Sequence, residues 1–396
     1  MLLGNNSHIC SSEIAVSKNR INNMNISIII PIYNVGPYIK DCLHSVLNQT
    51  CKKLEIVIVN DQTMDNSMEI VNQVLNERKT PFQVKIVNHD VNRGLSAARN
   101  TGIEHSSGDY LFFLDSDDEI TPNCIESLSE KAQSEEADII IGDYSVAGSN
   151  SFFPPLKLGS RSLKRKREII RSYMKESIYV MAWNKLIKKD FVLAHNLFFR
   201  EGLIHEDCLW SFQCICQAET ITILKEKTYI YKVRENSIKS GTAVQKSINA
   251  LKIVLKEMVE YAEKYSLLNN RYVYSFIEQE KLRLLYTYQA YKLDNMDAVF
   301  ELYSFFRSLS KPSLSRIFWW NLFHTTKSVR DAHYFLVLVD GSKYYHELPS
   351  LLRKYSHVSN MPHFYTRYIR IIFSYILTSR ISRKVRGLES PEVIES

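Results

Sequence analysis

The chain has 396 residues, of which 45% are hydrophobic and 23% charged, and a net charge of +7. That length exceeds one ordinary core and predicts two domains or one with a long appendage, while the composition excludes a fibrous or low-complexity protein. The charge is unevenly placed: residues 1–120 hold 10 Lys/Arg against 14 Asp/Glu, net −4, which leaves +11 for the remainder, and residues 351–386 hold eight Lys/Arg and no acid. No apolar run reaches the ~18 residues a spanning helix needs, and no apolar h-region opens the chain, so neither a membrane span nor a signal peptide is expected. The seven cysteines (Cys10, Cys42, Cys51, Cys124, Cys208, Cys214, Cys216) show no CxxC pair and no zinc spacing. They read as thiols of a reducing compartment.

Residues 1–24 are polar and aperiodic and read as a disordered tail, with Met24 an alternative start directly before the first strand. Residues 26–30 form an apolar strand that Pro31 is expected to end. A helical spacing follows over 35–47, then a strand at 54–59, a helix around 68–75, a strand at 84–87, a helix over 95–103 and a strand at 110–114. Continuous apolar strands alternating with amphipathic helices predict an α/β, Rossmann-like, mostly parallel sheet with helices on both faces. Residues 138–142 read as one more strand. The stretch Gly159-Ser-Arg-Ser-Leu-Lys-Arg-Lys-Arg is a solvated helix start or loop. Residues 245–310 carry long helical periodicity (Leu251, Val254, Leu255, Met258, Val259, Ala262).

The chemistry concentrates at strand ends. Residues 111–118 read Leu-Phe-Phe-Leu-Asp-Ser-Asp-Asp: an apolar strand stops and three carboxylates follow. Such acids are costly there without a cation, and in an open α/β sheet this end is where ligands bind. A divalent cation holding phosphate oxygens explains them, although Asp118-Glu119 ahead of Thr121-Pro122 also suits an acidic helix start. The first strand ends in Ile30-Pro31-Ile32-Tyr33-Asn34, and the second in Val59-Asn60-Asp61-Gln62-Thr63-Met64-Asp65-Asn66-Ser67. The third helix reads Asn92-Arg93-Gly94-Leu95-Ser96-Ala97-Ala98-Arg99-Asn100-Thr101-Gly102. A nucleoside diphosphate laid across that rim would have its base covered by an aromatic or backbone group at Ile32-Tyr33. Asp61 would accept a base N–H, Asp115 would hold the ribose and Asp117 the metal.

Taken in order, these segments resemble the motifs of family 2 glycosyltransferases, enzymes of the GT-A fold: "PxYN", "V(N/D)D(G/C)S/T-x-D-x-S", "N-x-G-x-x-x-A-R-N-x-G" and "F-L-D-S-D-D". The resemblance covers about residues 25–240 and leaves 241–396 as a helical C-terminal region. It departs at Gln62-Thr63-Met64, where Gly-Ser-Thr or Cys-Thr-Pro is commoner. What it implies is an Mg²⁺- or Mn²⁺-dependent, inverting transfer of a sugar from a nucleotide-sugar, UDP by family habit, to an acceptor hydroxyl. The segment Gly202-Leu203-Ile204-His205-Glu206-Asp207 then holds the family's "ED" motif. Asp207 is its general base and Glu206 an orienting acid. His205 is either an acceptor-side rival base or a plain loop histidine. Trp183, in Trp183-Asn184-Lys185-Leu186, stacks on an acceptor sugar or fills the core. Arg234, in Arg234-Glu235-Asn236-Ser237-Ile238, binds the pyrophosphate or pairs with a neighbouring acid. Arg99 contacts the donor or serves the helix.

Residues 365–386 place Ile369, Ile372, Phe373, Ile376 and Leu377 on one helical face, flanked by Arg367, Arg370, Arg380, Arg383, Lys384 and Arg386. That is the pattern of a helix lying on an anionic leaflet, or of a terminal helix with its cations in water. Residues 316–323, with Trp319 and Trp320, would suit a headgroup layer. A lipid-linked acceptor would make such attachment useful, which points to the cytoplasmic face of a bacterial membrane and surface-polysaccharide synthesis. No nucleic-acid module is recognisable.

Overall fold

The computed structural model describes residues 24–78, 80–148, 156–233, 241–290, 301–302, 304–306 and 308–310. The chain divides into two compact units, Met1–Ser240 and Gly241–Ser396.

In the first unit, the segments alternate as their apolar spacing dictates: β1 (Ile26–Ile32), α1 (Gly36–Leu47), β2 (Leu54–Asn60), α2 (Ser67–Glu77), β3 (Gln83–Asn88), α3 (Leu95–His105), β4 (Tyr110–Phe113). Then follow β5 (Glu119–Ile120), α4 (Cys124–Glu135), β6 (Ile139–Ala147), β7 (Arg161–Leu163), α5 (Lys166–Met174), β8 (Lys185–Lys188), α6 (Lys189–Ala194), α7 (Glu206–Gln217) and β9 (Ile221–Lys232). Among the described residues these strands form one sheet in the order β3-β2-β1-β4-β8-β6-β9-β5, with β7 on β9. The β3-β2-β1-β4 half is parallel; β8 enters antiparallel to both β4 and β6. All seven residues of β1 are buried, as expected of a central strand covered on both faces.

Pro31 does not end the first strand. It pairs with Val59 on β2, and β1 runs on to Ile32. The Ile29 carbonyl accepts the Leu114 N–H, so Pro31, two residues later, turns its missing N–H to the same side, where β4 has already stopped at Phe113. No ladder bond is lost, which is where a sheet tolerates proline. Strand β6 outruns the expected 138–142 because its register against β9 shifts at Gly142–Tyr144 and then resumes.

Gly102 lets α3 seat on β1. A Cβ there would lie 2.2 Å from the Ile29 Cγ2. Gly102→Ala is therefore expected to destabilise the protein by about 1–3 kcal/mol, the cost of overpacking a tight contact. A denaturant titration that finds less than ~0.5 kcal/mol would show that the contact yields.

The second unit begins with α8 (Gly241–Lys264), a 3₁₀ turn at Leu267–Asn269 and α9 (Arg271–Ala290). Val254, Leu255, Met258, Val259 and Ala262 are buried on α8, and Val273, Phe276 and Ile277 on α9. A buried Lys281–Glu278 ion pair at 2.7 Å lies within α9. No described helix is long and apolar enough to cross a membrane. The segment 365–386, the tail before Met24 and Trp319–Trp320 lie outside the described residues, so the membrane-helix and tail expectations are not addressed by the fold.

Candidate active site

The parallel half of the sheet brings the carboxyl ends of β1, β2, β3 and β4 to one rim, because parallel strands point the same way. The expected polar segments meet there. Tyr33 is 46% exposed at the end of β1, whereas Ile32 is fully buried. The Ile32 side chain therefore belongs to the core, which leaves its backbone for the rim. What Ile32 offers is its carbonyl, which accepts the Asp61 N–H at 3.0 Å.

Asp61 is buried, and its carboxylate is engaged on both oxygens. Oδ1 takes the Arg93 N–H at 2.8 Å and His89 Nδ1 at 2.7 Å, and Oδ2 takes the Gly94 N–H at 2.7 Å. These bonds shape the loop ahead of α3, where Gly94 turns with φ +86. The atypical Gln62 next to it has φ +53, the left-handed conformation that glycine adopts most readily. Its side-chain Oε1 accepts the Asn92 N–H at 3.1 Å. Thr63 Oγ1 donates to Asp65 and accepts the Asn34 N–H, so the Gln62-Thr63-Met64 loop is fully built despite its sequence.

Arg99 joins the two halves of the site. One amino group donates to Asp115 Oδ1 at 2.7 Å and the other to Glu206 Oε1 at 2.8 Å. The side chain is 3% exposed and its guanidinium stands 5.2 Å over the Phe199 ring. Its Nε has no hydrogen-bond partner among the described residues. Arg99 is thus a buried bridge between the β4 rim and the start of α7, 107 residues away in sequence. Two of its five N–H donors are spent on these acids, which gives Arg99 the structural role that the sequence allowed beside a donor contact.

After β4, Asp115 and Asp117 are half-buried, while Asp118 is buried and turned inward. Asp118 accepts the Tyr229 hydroxyl at 2.7 Å and the Lys232 N–H at 2.8 Å, so it pins the acidic loop to β9 rather than starting a helix. Burial, and then the charges of Asp115 and Asp117, push its carboxyl up to about 8. Negative charge is in excess at this rim. Among the described residues no three His, Cys, Asp or Glu side chains form a ready-made metal cage. Hard carboxylate oxygens in excess do fit an ion of the Mg²⁺ type, which takes one or two carboxylates and completes its shell with water and phosphate.

Glu206 and Asp207 open α7, where acids are favoured by the helix dipole. Burial raises both carboxyls above their ordinary range, while the nearby Arg99 cation opposes the shift. Lys185 also acts on Asp207. This lysine is buried on β8, stands 4.3 Å over the Tyr179 ring and donates to the Met181 carbonyl. Burial lowers it to about 7, with the Asp207 charge working the other way. The sequence placed it within the 183–186 segment but gave it no role of its own. His205 is the N-cap of α7 in a left-handed conformation (φ +64), and burial lowers its pKa.

Trp183 is buried and stacks on Tyr229 at 4.4 Å and 7°, and on Tyr231 at 5.7 Å. It fills the core, which excludes it as a platform for an acceptor sugar. The neighbouring Asn184 is a buried hub whose amide donates to the Asp143 carbonyl and whose oxygen accepts from Thr228. Arg234 lies outside the described residues. Of the described cysteines, Cys42, Cys124, Cys214 and Cys216 are buried, and none of those described is in a disulfide.

Residues 27–194 match the family model described as Glycosyl transferase family 2. EpsJ of Bacillus subtilis (strain 168), an uncharacterized glycosyltransferase, is 33% identical over 218 residues, which span 54% of this chain and 62% of EpsJ. TarP of Staphylococcus aureus (strain N315), a poly(ribitol-phosphate) beta-N-acetylglucosaminyltransferase, is 28% identical over 226 residues, 56% of this chain and 67% of TarP. The match to GlyA, a glycosyltransferase of Streptococcus pneumoniae serotype 4, spans 59% of this chain and 34% of GlyA. The chain thus covers less than two thirds of EpsJ and about a third of GlyA. The crystal structure of S. aureus TarS 1-349 in complex with UDP-GlcNAc has the same fold, with a TM-score of 0.53 at 17% identity over 91% of this chain and 92% of that one. The ordered rim motifs, the mixed sheet and the match over residues 27–194 agree: this stretch is similar to family 2 glycosyltransferases and has the fold of TarS.

Proposed function

We propose that this chain transfers a sugar, with inversion, from a nucleotide-sugar to a hydroxyl of a glycan or lipid-linked acceptor in bacterial surface-polysaccharide synthesis. The observation that supports the reading is the Arg99 bridge, whose two amino groups hold Asp115 and Glu206, the neighbour of Asp207. TarP acts on poly(ribitol-phosphate) by its name, and TarS is solved with UDP-GlcNAc. Both support a UDP-sugar as the first donor to try.

In this reading Asp115 holds the ribose, Asp117 holds Mg²⁺ or Mn²⁺, and Tyr33 lies against the base. The metal supplies Lewis-acid neutralisation of the departing diphosphate. Asp207 takes the proton of the acceptor hydroxyl. Its raised pKa keeps it a stronger base than an exposed aspartate. Glu206, tied to Arg99, is held as an orienting acid rather than as the base. Attachment through residues 365–386 to an anionic leaflet at the cytoplasmic face completes the reading. A binding-only protein would owe its inactivity to the Gln62 loop, yet that loop is hydrogen-bonded throughout.

The test is a screen of nucleotide-sugars for metal-dependent release of nucleoside diphosphate. Release of pyrophosphate instead would indicate a nucleotidyltransferase. Asp117→Ala is expected to abolish the metal-dependent part of UDP binding, measured by calorimetry with Mn²⁺ and with a chelator. Unchanged affinity would remove the metal from Asp117.

A further inference from the structure

Beneath the donor rim lies a buried polar chain that the proposed reaction does not use. His89, the residue after β3, is buried between β2 and α3. Its Nδ1 lies 2.7 Å from Asp61 Oδ1, and its Nε2 lies 2.9 Å from Thr101 Oγ1 on α3. A carboxylate only accepts, so the Nδ1 proton faces Asp61, and in the neutral ring the Thr101 hydroxyl donates to Nε2. The backbone N–H groups of Arg93 and Gly94 hold the same carboxylate from the loop side. Asp61 therefore has three fixed donors and can turn in no direction without breaking one. A carboxylate offers about four acceptor sites and three are filled, so a fourth donor would have to meet Asp61 through the 3% of its side chain that is exposed. A polar chain in a buried setting is rigid when every member is satisfied.

We propose that His89 is a positioning residue that locks the Asp61 carboxylate for recognition of a nucleobase carrying an imide N–H, and so sets base selectivity. The proposal rests on the reading of Asp61 as the acceptor of a base N–H. Uracil and guanine present such a donor; cytosine presents a bare ring nitrogen. Facing a fixed carboxylate, that nitrogen leaves two acceptors opposed, and a site built to receive a hydrogen bond rejects a ligand that cannot give it. A carboxylate free to turn away would lose this discrimination while the diphosphate contacts persist.

The experiment measures Mn²⁺-dependent binding of UDP, GDP and CDP to the intact chain and to His89→Leu, His89→Asn, Thr101→Val and Asp61→Asn, with a melting temperature for each. The wild type is expected to bind UDP or GDP at least about tenfold more tightly than CDP. His89→Leu should shrink that ratio by about tenfold, mainly through weaker binding of the favoured nucleotide. His89→Asn places an amide N–H where Nδ1 was and should recover part of the ratio. Thr101→Val cuts only the outer bond and should shrink the ratio less, and it decides the matter if His89→Leu fails to fold. Equal weakening of all three nucleotides in His89→Leu or Thr101→Val would make the histidine merely structural and overturn the proposal. If Asp61→Asn alone collapses the ratio, Asp61 reads the base without His89. If Asp61→Asn leaves the ratio intact, the base reading itself fails.

Discussion

Asp207→Asn is expected to bind nucleotide as the native chain does and to lose transfer by about 10²–10⁴ in kcat, the usual worth of a positioned general base. The amide keeps the side chain's shape at the start of α7 and removes only its ability to take a proton. A loss shared equally between kcat and kcat/KM would place the effect in the transition state; a rise in KM alone would place it in binding. The pH profile has a definite sign. Burial, the largest influence on Asp207, favours its protonated form. Activity should therefore fall as pH drops through a midpoint above the ordinary aspartate value of about 4. That acid limb should vanish from whatever residual rate the variant retains. Normal turnover by Asp207→Asn would move the base elsewhere, His205 being next along the chain.

Arg99→Met should cost about 3–5 kcal/mol of stability, because it strands two carboxylates that one buried cation now satisfies. For a domain of this size that lowers the melting temperature by roughly 6–20 °C. The cost follows from position: the guanidinium is 3% exposed, and both of its ion pairs are under 3 Å. Arg99→Lys should recover little, since a single ammonium cannot fork to Asp115 and Glu206 together. Activity should fall with stability, because the same change frees Asp115 and Glu206, the acids that the proposed function sets at the donor and beside the base. A drop of under ~2 °C by scanning calorimetry would mean that the bridge carries no such load.

Much of this architecture could be read in advance, and the limits of that reading follow a pattern. The strands and helices from Ile26 to Phe113 announce themselves because buried parallel strands are continuously apolar and their covering helices keep a 3.6-residue period. The rim acids were legible as types and in order. Side-chain direction was not. Ile32, Trp183 and Arg99 all sit in the expected segments, yet each turns inward, where a neighbour distant in sequence receives it: the sheet core, Tyr229, and the Asp115–Glu206 pair. His89 and Lys185 received no role for the converse reason, since their partners Asp61 and Asp207 lie 28 and 22 positions away and no local pattern marks the pairing. β5, β7 and β8 are too short for any period to show.

The span of these links also bears on how the chain folds as it leaves the ribosome. The Asp118 anchor waits for Lys232, 114 residues downstream, and Arg99 waits for Glu206. The parallel β3-β2-β1-β4 half can assemble early in synthesis, as amino-terminal elements do. Its carboxylate rim, however, stays unset until β9 has emerged and docked. A nascent chain is therefore expected to set that rim in one late step and not gradually.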